Sequence, residues 1–177
     1  MIKVIPTNLF LKQLALVFVT ALLCVSGNAQ APARTPYAAP GDWTVTTYRA
    51  GDSGEFLRCS AERHFDDGQT LTIAINGTGN LVLGFTSDKW IYEDRSTHPV
   101  SVRVDSGEET PLSGRVRILP VGPIVFVDLD PDSTVIAELS AGDTLYVSSS
   151  ETNMVMDLTG SAAAIAGTNQ CYADATD

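Results

Sequence analysis

From Trp43 onward, apolar and polar residues alternate with a period of two, and turn-forming residues interrupt the alternation at short intervals. Trp43, Val45 and Thr47 share one side, and Thr44, Thr46 and Tyr48 the other. Across 56–65 (FLRCSAERHF), Leu57, Cys59 and Ala61 face opposite to Arg58, Ser60 and Glu62. After Asp66-Asp67-Gly68 the alternation returns in Leu71, Ile73 and Ile75. Asn76-Gly77 and Gly79-Asn80 break it again, and Leu81, Leu83 and Phe85 resume it, so 71–85 reads as a hairpin. Trp90 with Tyr92, then Val100, Val102 and Val104, then Val116 with Ile118, continue the series. The runs 124–129 and 154–158, with Leu145 and Val147 between them, bring the list to about nine or ten strands. Each strand then has one apolar face, the mark of antiparallel sheets with a single buried side. The expectation is an all-β, antiparallel, sandwich-like domain with two short helices and one disulfide.

The helices are predicted where the alternation lapses. Val135, Ile136 and Leu139 have helical spacing, with Asp132 as N-cap and Gly142 as stop. The alanine-rich segment 161–171 follows Thr159 or Ser161 as cap, and Gly167 limits the expectation to its first two turns.

Upstream of the strands the pattern is different. Lys3 and Lys12 supply positive charge ahead of residues 14–25 (LALVFVTALLCV), which are apolar save for Thr20, the length of a signal h-region and short for a membrane span. Gly27 and Ala29 supply small residues before a cut at Gln30. Leu23, ahead of Cys24, is too large for a lipobox. The organisation expected is a signal peptide over 1–29, a Pro/Ala-rich tether over 30–40, one β-rich domain over 41–173 and a disordered tail over 174–177. This places the domain in the periplasm or outside the cell.

Removal of such a leader changes the charge. Lys3 and Lys12 leave with it and no acidic residue does, so the formal charge goes from −10 to −12. That surface repels phosphate backbones and anionic lipid, which argues against nucleic acid and against stable membrane insertion. A basic or neutral protein partner, including a host-derived one, fits the net charge better. Export also changes the cysteines: Cys59 and Cys171 are the two left, and in an oxidising compartment a bridge between them is favoured over two free buried thiols. Two cysteines and two scattered histidines lack the spacing of a metal site.

No catalytic constellation emerges. Gly51-Asp52-Ser53-Gly54 copies the sequence around a trypsin-like nucleophile, but both histidines, His64 and His98, follow it, against the order of that protease fold. Asp128, Asp130 and Asp132 open like a calcium loop, yet Ser133 stands where its glycine belongs and Leu139 where its glutamate belongs. No cofactor is implied. The one aromatic and mixed-charge cluster is 85–95 (FTSDKWIYEDR), where Trp90 and Tyr92 would share a strand face. Core packing is the ordinary use of such a pair. If the cluster is instead a surface, Trp90, Tyr92 and Arg95 are the candidate binding residues.

The opening Gly41-Asp42-Trp43-Thr44-Val45 resembles the start of the invasion-associated locus B family of exported alphaproteobacterial proteins. Cys59 in the next strand, Leu158-Thr159-Gly160-Ser161, the alanine-rich segment and Cys171 extend the likeness over about 41–172. The resemblance implies a periplasmic or surface-exposed β-sandwich-like protein linked to entry into host cells, and it carries no enzymatic residues. The function expected is non-enzymatic binding at the cell envelope; inhibition of a periplasmic hydrolase, a protease or lysozyme, is the alternative.

Overall fold

The computed structural model describes residues 30–119, 122–130, 132–150 and 153–177; the proposed signal peptide lies outside them. Ten strands form one antiparallel sheet: β1 (Ala33–Ala38), β2 (Trp43–Arg49), β3 (Phe56–His64), β4 (Gln69–Asn76), β5 (Leu81–Ser87), β6 (Thr97–Val104), β7 (Thr110–Leu119), β8 (Gly122–Asp128), β9 (Thr144–Ser149) and β10 (Asn153–Asp157). Their spatial order is β1-β2-β3-β4-β5-β8-β7-β6-β9-β10. Two helices, α1 (Val135–Ala141) and α2 (Ser161–Thr176), complete the domain. The all-β, antiparallel class and the two helices agree with the alternation pattern. The strands are joined in one continuous hydrogen-bonded sheet.

That sheet curls until its two ends meet around a single core. Val45 on β2, Leu71 and Ile73 on β4, Phe85 on β5, and Leu145 and Met156 near the other end belong to the same buried cluster. The seam is polar and specific. Trp43 donates from Nε1 to the Thr159 carbonyl at 2.9 Å. Buried Arg63 on β3 donates to the carbonyls of Asp157 (2.8 Å) and Thr159 (3.0 Å) and to the Asp157 carboxylate (2.7 Å). A guanidinium this buried is stabilised only by such a full set of acceptors.

Helix α2 covers the inner face of β2, β3 and β4. It runs well beyond the two turns expected. Gly167 is the reason it fits: a Cβ there would lie 3.2 Å from Val45 Cγ2, so the glycine lets helix and sheet approach closely and its low helix propensity is outweighed by packing. The cap is Gly160, in left-handed conformation at φ 84°, in place of Thr159 or Ser161. Ser161 instead donates to the Leu139 carbonyl at 2.6 Å and joins the two helices. The supposed tail at 174–177 is helical through Thr176. Helix α1 begins after Thr134, two residues later than an Asp132 cap would place it, because a turn from the Asp130 carbonyl to the Ser133 N–H occupies the preceding residues.

Cys59 and Cys171 are bonded, with Cα atoms 6.1 Å apart, within the usual range for a bridge. The bond fixes α2 to the inner face of β3 and links residues separated by 112 positions.

The tether reading requires correction. Residues 33–38 are strand β1, paired antiparallel to β2 from Ala33↔Arg49 to Ala38↔Val45, so the folded part starts well before Trp43. Its side chains are mostly exposed on both faces, which removes the alternation that marks the other strands. The strand is held by backbone pairing and by Tyr37, whose hydroxyl donates to Asp174 of α2 at 2.5 Å.

Cys59→Ser is expected to destabilise the domain by about 2–5 kcal/mol in denaturant titration, the usual loss for a native bridge in a small domain. A second expectation concerns acid. Hydrogen bonds from the Thr159 N–H and hydroxyl, and then Arg63, hold the Asp157 carboxyl below the ordinary aspartate range. A depressed folded-state value adds stability that is present above the unfolded value of about 3.9 and is lost as pH falls through the folded one. Asp157→Asn should therefore flatten the dependence of unfolding midpoint on pH below about 4, read by thermal melts across an acid series.

Candidate functional site

The residues that alternate away from the core form the face with chemical interest. On β2–β5, β8 and β7 this outer face is hollowed into a trough of about 800 Å³. Its floor is small or apolar where strands meet in register: Thr72 opposite Gly84, Ala74 opposite Val82, and Gly84 opposite Phe126. Gly84 creates the hollow. A Cβ there would lie 3.1 Å from Thr72 Cβ and 3.2 Å from Ile124 Cδ1, so any larger residue would fill the floor.

The walls are basic. Arg34, Arg58, Arg95, Arg115 and Arg117 all line the trough, five of the eight arginines in the chain. The acidic residues of the lining are Glu62 and Asp128. The trough is thus an island of positive charge on a domain whose net charge is strongly negative.

One wall is built by register. Arg34 on β1 and Arg58 on β3 are the direct cross-strand neighbours of Tyr48 on β2. Both guanidinium groups lie over its ring, at 5.5 Å and 4.0 Å from the centroid. Burial and the hydrogen bond to Glu62 (2.8 Å) push the Tyr48 phenol above its ordinary value, so the ring stays neutral beneath the two cations. Glu62 is itself taken up by Tyr48 and Ser60. Among the described residues neither Arg34 nor Arg58 has an ion pair.

The opposite wall comes from β7 and the loop before β6. Arg115, opposite Phe126, is ion-paired to Asp128. Arg117, opposite Ile124, has no ion pair among the described residues. Arg95 reaches only its neighbour Asp94, at 3.5 Å, and its side chain is highly exposed. Its φ of 63° belongs to a turn fixed by hydrogen bonds between Arg95 and Ser96 and the Val116 backbone.

Of the three binding residues expected from sequence, the structure brings only Arg95 to this site. Trp90 and Tyr92 are not on a strand and are buried, packed edge to face at 5.4 Å, with Tyr92 against His98 at 4.4 Å. They are core, and the binding role assigned to their side chains is withdrawn. Arg34, Arg58, Arg115 and Arg117 were missed. Arg115 and Arg117 flank Val116 at strand spacing, and that pair on one face was the available signal.

The other candidate motifs resolve into local structure. Ser53 lies in the β2–β3 turn, where its Oγ accepts from the Glu55 N–H at 3.3 Å. His64 pairs with Thr70 at 2.9 Å. His98 Nε2 is 2.9 Å from Ser96 Oγ, and since that hydroxyl donates to the Glu93 carbonyl, Nε2 is the donor in this contact. Among the described residues no three His, Cys, Asp or Glu side chains are grouped to hold a metal. No helix among them is long and apolar enough to cross a membrane.

No protein-family model, curated protein or solved structure matches this chain.

Gly84→Val is expected to clash with Thr72 and Ile124 and to lower stability by about 1–3 kcal/mol, the range for overpacking a tight site. An unchanged denaturation midpoint would show that the floor is looser than its contacts require.

Proposed function

We propose that the chain is an exported, non-enzymatic protein that acts by binding, and that the arginine-walled trough is where it binds an anionic ligand. The observation that carries this reading is the collection of five of the chain's eight arginines around one hollow in an otherwise acidic domain. Arg34, Arg58 and Arg117 have no ion pair among the described residues, and cations kept near one another in that state cost stability that an incoming anion relieves. The volume lies in the range of small-molecule sites, and an apolar floor with a few charged groups is their usual make-up.

Net charge and local charge act at different distances. At physiological salt, charges are screened beyond about 8 Å, so a small anion inside the trough experiences the arginines. A long polyanion extends over the acidic remainder and is repelled, which keeps nucleic acid disfavoured. The basic protein partner expected from net charge is replaced, for this site, by a small anionic one.

Placement at the periplasm or cell exterior rests on the leader-like sequence, on the disulfide and on the resemblance to the invasion-associated family. Two tests bear on the function. Isothermal titration of the disulfide-bonded domain should detect a fatty acid or alkyl phosphate, weakened by added salt, and should detect no matching fatty alcohol. A fluorophosphonate probe should leave Ser53 unlabelled. Equal binding of alcohol and acid would contradict the anionic reading, and labelling at Ser53 the non-enzymatic one.

A further inference from the structure

The two walls of the trough are separate charge centres. Arg34 and Arg58 meet over Tyr48 on β1–β3, whereas Arg117 and Arg95 stand at β7 and the loop before β6. Between β3 and β7 lie β4, β5 and β8, so four strand spacings, about 19 Å, separate the two across the sheet. The register sets Arg117 in the row of His64, six residues and about 20 Å along the strand from Arg58, so the line between the centres runs diagonally over the floor. Asp128 holds Arg115, so the groups left for a ligand are those at the two extremes. The floor between them, Ala74, Val82, Gly84, Phe126 and Ile124, presents no charged side chain.

From this we infer that the ligand carries two anionic groups separated by an apolar segment, one group at Arg34 and Arg58 and the other at Arg117 and Arg95. A single anion reaches one wall and leaves either Arg34 and Arg58, or Arg117, without an anionic partner. Two separate anions would leave the apolar floor bare between them. A linear dianion with an apolar middle satisfies both walls and covers the floor. The trough is also incomplete without β1, which supplies Arg34. The inference rests on the binding role proposed for the trough and specifies the class of its ligand.

The test is isothermal titration of the full disulfide-bonded domain with α,ω-dicarboxylates of graded chain length and with the fatty acids of the same lengths. One diacid is expected per chain, tightest at an intermediate length, and at least about tenfold tighter than its monoacid, a modest yield for an added charge-assisted contact. Arg58→Ala and Arg117→Ala should each bring the diacid to the affinity of the monoacid. Arg117→Lys should keep part of the preference, since it restores the charge without the fork. Circular dichroism melts of the same variants distinguish lost contact from lost fold.

A monoacid that binds as tightly as the diacid, or two monoacids per chain, overturns the two-headed ligand while the trough remains an anion site. An Arg117→Ala variant that folds and binds the diacid normally also overturns it. Failure of every anionic amphiphile to bind overturns this inference together with the binding role on which it rests.

Discussion

The attachment of α2 to the inner face of β2–β4 is the constraint on which the rest depends. The helix packs against β1–β4 and α1, in a sheet that does not close by hydrogen bonding, since β1 and β10 end the strand order. Three contacts hold it there: the Cys59–Cys171 bond, the close approach at Gly167, and the Trp43 and Arg63 hydrogen bonds around Thr159. Each joins residues far apart in the chain, so each constrains topology more than local conformation. Because strand residues alternate faces, the same three strands that carry the helix inside present Tyr48, Arg58, Thr72 and Ala74 outside. The register that seats α2 also sets the floor and one wall of the trough.

The electrostatic design follows from that register. A surface with so many carboxylates would ordinarily pair its arginines. Asp128 does this for Arg115, and Asp157 with Asp42 does it for Arg63. Arg34 and Arg58 are supported by an aromatic ring instead, and Glu62, the acidic residue nearest in register, is occupied by two hydroxyl groups. Cation–π contact keeps a guanidinium in place while leaving its N–H groups free to donate.

The period-two pattern made the strand inventory and the 71–85 hairpin legible, because alternation reports burial directly and each of these strands has one buried face. The bridge was legible from the leader-like segment and the cysteine count. Strand β1 was not: with both faces exposed it has no alternation, and its proline content mimics a linker. Trp90 and Tyr92 show the reverse error, since two aromatics spaced like strand residues sit in a loop that tertiary packing buries. Helix α2 outran its propensity because the close approach at Gly167 is rewarded only when β2 is present. The trough depended on the least local information of all. Nothing in sequence order places Arg117 across a hollow from Arg58; that requires the β5–β8 pairing, which joins strands separated by β6 and β7 in the chain.

We propose the outer face of β3–β5, β8 and β7 as a binding site for an anionic ligand. Backbone amide chemical shifts followed by NMR during titration with an α,ω-dicarboxylate address it most directly. Binding in the trough gives saturable shifts concentrated at Arg58, Thr72, Ala74, Val82, Phe126 and Arg117, with β9 and β10 unaffected. Shifts confined to β9 and β10, or the absence of any saturable shift in the trough, would contradict it.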